Sequence, residues 1–418
     1  MSIEQVEVAV IGGGQAGLAI SYYLTQHGRE HVVLEQGRPA ESWRSKRWDS
    51  LCVVGPNWTL RFPGFAYQGN DPDGFMSRDE VVRFLEQYGA SFHAPLRCGV
   101  RVTAVEQSPR GTGYRLQAGD TIFEAAQVVI ATGAYQQPKV PTCSADLPVC
   151  ILQLVPNQYR RPQDLPPGAV LVVGSGESGC QIAEELRRSG RAVYLSVGRC
   201  WWAPRRYRGK DCVWWVEALG MFDQTVDMIP GGHAKFAPPS PQQTGSDGGR
   251  DLNLHTLAGE GVVLLGRVEA VRDERLILAP DLQENIAKAD EEAVGFAKAV
   301  DDYIQTAGLD CPEESLPSYP PLGNGAETAP ILELDLQATQ ITSIIWATGY
   351  RPDLRWVRVP VLDDEGYPVH TRGVTAYPGL YFLGLELLYN LKSGLFHGVG
   401  EDAAYLASRI EAHASEKG

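Results

Sequence analysis

The chain has 418 residues and a formal net charge of −14. That acidity argues against nucleic-acid binding, which needs a basic face, and no apolar run approaches membrane-spanning length. The length allows two or three domains with sizeable cores, and because the chain opens directly into a strand with no leader pattern, a cytoplasmic location is expected.

The first apolar run, Val8-Ala9-Val10-Ile11, leads into Gly12-Gly13-Gly14-Gln15-Ala16-Gly17, and apolar residues at helical spacing follow up to Gly28. This is the strand–turn–helix pattern of a dinucleotide site. Gly12 permits the tight turn, Gly14 lets the backbone approach a pyrophosphate, and Gly17 lets the helix pack on the sheet. The helix-start amides of Gln15 and Ala16 then face the phosphate. The next strand, His31-Val32-Val33-Leu34-Glu35, ends in an acid suited to ribose hydroxyls.

Residues 43–75 are rich in aromatics and proline and lack periodicity; long ordered loops of this kind line sites. Trp43 and Trp48 suit either a flavin ring or the core. Asn57, in Gly55-Pro56-Asn57-Trp58, suits either a catalytic amide or a turn. Trp58 is a substrate-contact candidate. A helix is expected over 78–88, capped by Ser77, then a strand pair over 101–105 and 114–116. Gln127-Val128-Val129-Ile130 ends in Ala131-Thr132-Gly133, a small-residue turn that suits close approach to a cofactor. Residues 138–167 read as a linker.

Val170-Leu171-Val172-Val173 leads into a second turn, Gly174-Ser175-Gly176-Glu177-Ser178-Gly179, and its helix runs to Gly190. The strand after it ends without an acid and is followed by Arg199, Arg205, Arg206, Arg208 and Lys210. Guanidinium groups hold a ribose 2′-phosphate bidentately, so NADPH rather than NADH is expected here, with Arg199 first in line. Each of these cations also suits a plain surface turn. Trp201, Trp202, Trp214 and Trp215 either wall a substrate cleft or pack a lid.

Strands are expected at 262–265 and 276–278, a helix over 281–307 and a surface loop over 312–330. A further strand ends in Ala347-Thr348-Gly349-Tyr350, an echo of the first Ala-Thr-Gly turn that assigns Thr348 and Gly349 to a cofactor. Gly379-Leu380-Tyr381-Phe382-Leu383-Gly384 gives one more strand, with Gly384 near the cofactor. Tyr389, Asn390 and Phe396 are substrate-side candidates ahead of a helix over 401–411. His397 reads as a structural histidine before a general base. The eight cysteines are scattered without a Cys-x-x-Cys pair or zinc spacing, so reduced, structural cysteines are expected.

These elements make an α/β chain of two Rossmann-like domains with mostly parallel sheets in three layers. An FAD-binding domain is expected over 1–141 and 353–418, discontinuous because the terminal strand and helix need a partner sheet. An NADPH-binding domain is expected over 142–352, with a helical insertion around 281–307. A homodimer is compatible with this plan.

The paired glycine turns and the two Ala-Thr-Gly turns resemble the two-dinucleotide-binding flavoproteins. Ser42-Trp43-Arg44, Phe62-Pro63-Gly64-Phe65 and Gly379-Leu380-Tyr381-Phe382-Leu383-Gly384 are similar to class B flavin monooxygenases, the N- and S-oxygenating enzymes and the YUCCA enzymes among them. The likeness covers nearly the whole chain. It implies that NADPH reduces FAD, that the reduced flavin and O2 give a C4a-(hydro)peroxide, and that this oxygenates a small molecule. It places Trp43 and Arg44 at the flavin, and it makes Asn57 the candidate to hydrogen-bond the flavin-bound oxygen, although the family's asparagine stands a few residues away from that position.

The chain departs from that pattern before the second glycine turn. Tyr159 matches the family segment, but Val155 stands where a histidine is expected, Val149 replaces phenylalanine and Ile151 replaces glycine. This leaves open an NADPH oxidase or flavin reductase, and also a non-catalytic flavin-binding module.

Overall fold

The structure is a computed structural model describing residues 2–229, 239–319 and 330–415. Two parallel sheets grow from the apolar runs that precede the glycine turns. In the first, β1 (Ser2–Ile11) pairs in parallel with β2 (His31–Leu34) and with β6 (Thr121–Ile130), and β2 pairs with β3 (Leu96–Arg97). β4 (Ala104–Gln107) and β5 (Tyr114–Ala118) extend the sheet antiparallel. Helix α1 (Gln15–Gln26) follows β1 and buries Leu18, Ile20 and Leu24. Helix α2 (Arg78–Ser91) starts where the Ser77 amide and hydroxyl both donate to Glu80, at 2.8 and 2.7 Å.

The far end of the chain completes this sheet. β12 (Leu380–Phe382) pairs in parallel with Val128–Ile130 of β6, beyond the stretch that β5 covers. Helix α5 (Val399–Ser415) is fastened there by Gln127, whose Nε2 donates to the Ile410 carbonyl at 3.0 Å while its Oε1 accepts from the Tyr381 hydroxyl at 2.9 Å. The N-terminal sheet is therefore built from both ends of the chain.

The second sheet is wholly parallel, in the order β7 (Leu152–Leu154), β11 (Ile341–Trp346), β8 (Ala169–Val173), β9 (Val193–Ser196), β10 (Val263–Leu265). Helix α3 (Glu177–Arg188) follows β8, and α4 (Leu282–Ala307) buries Ile286, Ala289, Ala293 and Phe296. β7 lies inside the segment expected to be only a linker; three residues carry too little alternation to be seen among prolines. The strand expected over 101–105 starts at Ala104, and β6 begins at Thr121, earlier than the apolar run. Parts of two expected segments, 230–238 and 320–329, lie outside the described residues. All eight cysteines are free. No helix among the described residues is long and apolar enough to cross a membrane.

Candidate functional site

The two glycine turns are geometric duplicates. Gly12 and Gly174 take φ of +111° and +110°, a region that favours glycine. A Cβ on either would press on the carbonyl oxygen of Ala131 or of Ala347. Each Ala-Thr-Gly turn therefore abuts its own glycine turn. A Cβ at Gly17 or Gly179 would collide with the carbonyl oxygen of Gly12 or Gly174. A Cβ at Gly14 or Gly176 meets nothing within 4 Å. Those two positions cap α1 and α3 and leave open space at the helix N-termini, where free amides and the helix dipole favour a phosphate.

Both spaces open into one cleft of about 2890 Å³ between the sheets. On the first unit it is lined by Gly12, Gly14, Gln15, Ala16, Glu35, Trp43, Ala131, Thr132 and Gly133. On the second it is lined by Gly176, Glu177, Ser178, Gly179, Arg199 and Gly349; Gly384, Tyr389 and Phe396 close it from the C-terminal segment. Glu35 is buried, and its two carboxylate oxygens accept from the Gly13 and Gly37 amides at 2.7 and 2.8 Å. Carboxylate oxygens have further lone pairs to offer. Gln15 ties the first turn to the C-terminal segment by donating to the Gly394 carbonyl at 2.6 Å. Trp43 stacks on Phe396 with centroids 5.6 Å apart. Arg199 is exposed on the cleft with no ion pair among the described residues.

Several expected site residues lie elsewhere. Arg205 is 1% exposed and clamped by Asp211, while its Nη1 reaches the Val54 carbonyl at 2.9 Å. It joins the two units and is buried off the cleft, where a ribose phosphate does not reach it. Arg206 points to the Gly249 and Gly248 carbonyls, off the cleft. Arg44 is spent on Glu86 and the Pro39 carbonyl. Asn57 is buried off the cleft and donates to the Asp71 carbonyl at 2.9 Å, as a turn residue does. Trp58 lies under Arg61 rather than on the cleft. Asn390 is buried and held by Ser393. Ser175 exchanges hydrogen bonds with Gly198, Thr348 donates to the Lys139 carbonyl, and Gly17 and Gly174 support the turns from behind. Of the four tryptophans in question, Trp201 lines the cleft, whereas Trp202, Trp214 and Trp215 pack away from it.

Sequence reasoning marked Glu177 in the second glycine turn but missed the rest of a polar cluster where the units meet. Tyr135, two residues past the first Ala-Thr-Gly turn, donates its hydroxyl to Glu386 at 2.5 Å. Half its surface is exposed, but onto the cleft, and burial of the hydroxyl pushes its pKa well up. Its ring meets Tyr350, two residues past the second Ala-Thr, at 5.9 Å. Glu177, at the start of α3, faces the same space; burial first, and Glu386 second, push its carboxyl up to about 7 against the pull of Arg205. Arg47 lies over Trp43 and Tyr135. His397 also lines the cleft, and burial pushes its pKa down to about 4, so it is neutral at pH 7. Gln136 holds the first Ala-Thr-Gly turn by donating to Thr132 and Gly133. The two tyrosines stood just past recognised turns and could have been marked; Arg47 and Glu386 carry no local signal.

Residues 9–216 match the pyridine nucleotide-disulphide oxidoreductase family. The chain is 32% identical over 413 residues to a CzcO-like oxidoreductase of Geobacillus kaustophilus, covering 98% of this chain and 99% of the other. Over 191 residues it is 28% identical to the indole-3-pyruvate monooxygenase YUCCA1 of Oryza sativa, covering 45% of this chain and 47% of that one. A flavin-containing monooxygenase from Stenotrophomonas maltophilia shares the fold, with a TM-score of 0.66 at 20% identity over 98% of this chain and 99% of that one.

Proposed function

Since the chain belongs to the CzcO-like oxidoreductases, we propose that it is an NADPH- and FAD-dependent oxygenase of a small molecule. The observation that carries this is the duplicated turn, with open space over both Gly14 and Gly176 facing a single cleft. The first turn, the α1 amides and Glu35 suit FAD. The second turn, the α3 amides and Arg199 suit NADPH. Bound flavin supplies a carrier that takes two electrons from the nicotinamide and passes them to O2. The balance is substrate, O2, NADPH and H⁺ giving oxygenated substrate, NADP⁺ and water, with an amine or sulfide as the expected substrate class.

The chain's own residues have three tasks. The turns bind and orient the two nucleotides. Trp43 and Phe396 wall the cleft with apolar rings, which limits water near the reacting atoms. Glu177, close to half-protonated at neutral pH, can hold or release a proton on its carboxyl beside the Tyr135–Glu386 pair.

A second reading, an oxidase that releases peroxide, is favoured by two placements. Val155 is packed in the core where the resemblance expects a histidine, and the Asn57 amide is turned away from the cleft. The purified protein would be inspected for a flavin spectrum, then NADPH, O2 and peroxide followed with a panel of amines and sulfides. Substrate-dependent NADPH use with little peroxide supports oxygenation. Peroxide equal to NADPH under all conditions replaces it with the oxidase, and a protein that takes up no flavin removes both.

A further inference from the structure

Arg47 is a recessed arginine of the cleft with no anion beside it among the described residues. Its Nη1 donates to the Lys46 carbonyl at 3.0 Å, and no carboxylate lies within ion-pair distance of it among the described residues. Other arginines on the cleft differ: Arg355, Arg358 and Arg372 are paired with Asp353, Glu106 and Asp402, and Arg101 and Arg199 are exposed. A guanidinium carries five donors, and withdrawing it from water without an anion is costly. Burial lowers the pKa of Arg47, opposed only by the Tyr135 and Tyr350 hydroxyls.

The residue is nevertheless held in place, through its main chain and by the rings that border its guanidinium. Its backbone carbonyl accepts from Arg160 at 2.9 Å and from Arg78 at 3.4 Å, and Arg78 is itself anchored to Asp49. The guanidinium carbon sits 5.4 Å from the Trp43 centroid and 5.8 Å from that of Tyr135. A fixed guanidinium with free donors, bordered by aromatic rings, is a receptor for a planar oxyanion attached to an apolar body.

We propose that Arg47 anchors a carboxylate of the substrate, so that this oxygenase acts on small molecules carrying a carboxylate on an aromatic or otherwise apolar frame. This rests on the reading of the cleft as an oxygenation site. A phosphate of the nicotinamide nucleotide shares the oxyanion chemistry, but the second glycine turn and Arg199 already offer phosphates a separate cradle.

The test is calorimetric titration of the protein as purified, with its flavin, using phenylacetate, 3-phenylpropionate and 4-phenylbutyrate against their methyl esters. Wild type, Arg47→Lys and Arg47→Met are compared, and each is also titrated with NADP⁺. Wild type is expected to bind at least one acid tenfold or more tighter than its ester. Arg47→Met is expected to erase that preference, with NADP⁺ affinity changed less than twofold and a melting temperature no lower than wild type, since it removes an uncompensated charge. Arg47→Lys keeps part of the preference. Equal binding of acids and esters to wild type, or no binding of any acid, overturns the proposal. So does an Arg47→Met protein that loses NADP⁺ affinity while keeping acid over ester. Flavin content and NADPH oxidation are read separately, so their failure would sink the oxygenase reading while leaving the acid preference measurable.

Discussion

The Gly13 amide donates to the Glu35 carboxylate at 2.7 Å, so the first glycine turn and the end of β2 form one rigid corner. The second carboxylate oxygen holds the Gly37 amide at 2.8 Å. Glu35→Gln keeps the shape but faces one of these amides with a donor. A broken charge-assisted hydrogen bond of this kind costs about 1–3 kcal/mol, so FAD affinity is expected to fall by about tenfold or more. The flavin-to-protein ratio after gel filtration reads this directly; a variant retaining full flavin would remove Glu35 from the nucleotide site.

Two glycines in the same turn separate binding from folding. A side chain at Gly14 meets open space, whereas one at Gly17 collides with the Gly12 carbonyl. Gly14→Val is expected to fold with a near-normal melting temperature in the flavin-free state and to take up no FAD, because its side chain fills the phosphate position. Gly17→Ala is expected to lose stability first, since α1 would have to move off the sheet. A yellow Gly14→Val protein would show that the open space is not where the nucleotide lies.

The glycine turns were legible because their demands are local: positive φ at Gly12 and Gly174 and close contact at Gly17 and Gly179 leave little but glycine. The return of the terminal strand was legible because three apolar residues, Leu380–Phe382, need a sheet. Arg205 was misread because charge alone does not reveal that Asp211, on the next hairpin strand, would turn it inward. Asn57 stayed open between a catalytic amide and a turn because its carbonyl partner, Asp71, comes from the far side of a loop without period. Tyr135 and Glu386 meet only once the C-terminal segment has returned, and no local pattern encodes that.

The two arginines flanking Trp201 therefore separate in their effects. Arg205→Met strands Asp211 and unfastens the Val54 carbonyl, and breaking a buried ion pair costs about 3–5 kcal/mol. A large drop in denaturation midpoint is expected. Arg199→Ala is expected to leave the midpoint unchanged and to raise the KM for NADPH by about tenfold, or 1.4 kcal/mol, with little effect on NADH. Equal effects on the two nucleotides would strip Arg199 of the 2′-phosphate.

Glu177 makes stability depend on pH in a defined direction. Its carboxyl, pushed up to about 7 chiefly by burial, faces Glu386, Arg205 and the Tyr135 hydroxyl. Tyr135 is raised far above neutrality and does not titrate in this range. An unfolded glutamate loses its proton near pH 4.3. Between there and about 7 the folded chain keeps a proton that the unfolded chain has released, so the contribution of Glu177 falls as pH rises and levels off once both states are ionised. Glu177→Gln removes that slope without removing the side chain. The denaturation midpoint of Glu177→Gln relative to wild type is expected to rise steadily from pH 5 to pH 7 and then hold constant to pH 8.5. Parallel profiles for the two proteins would mean that the carboxyl is ionised throughout and that its position at the start of α3 is solvated rather than enclosed.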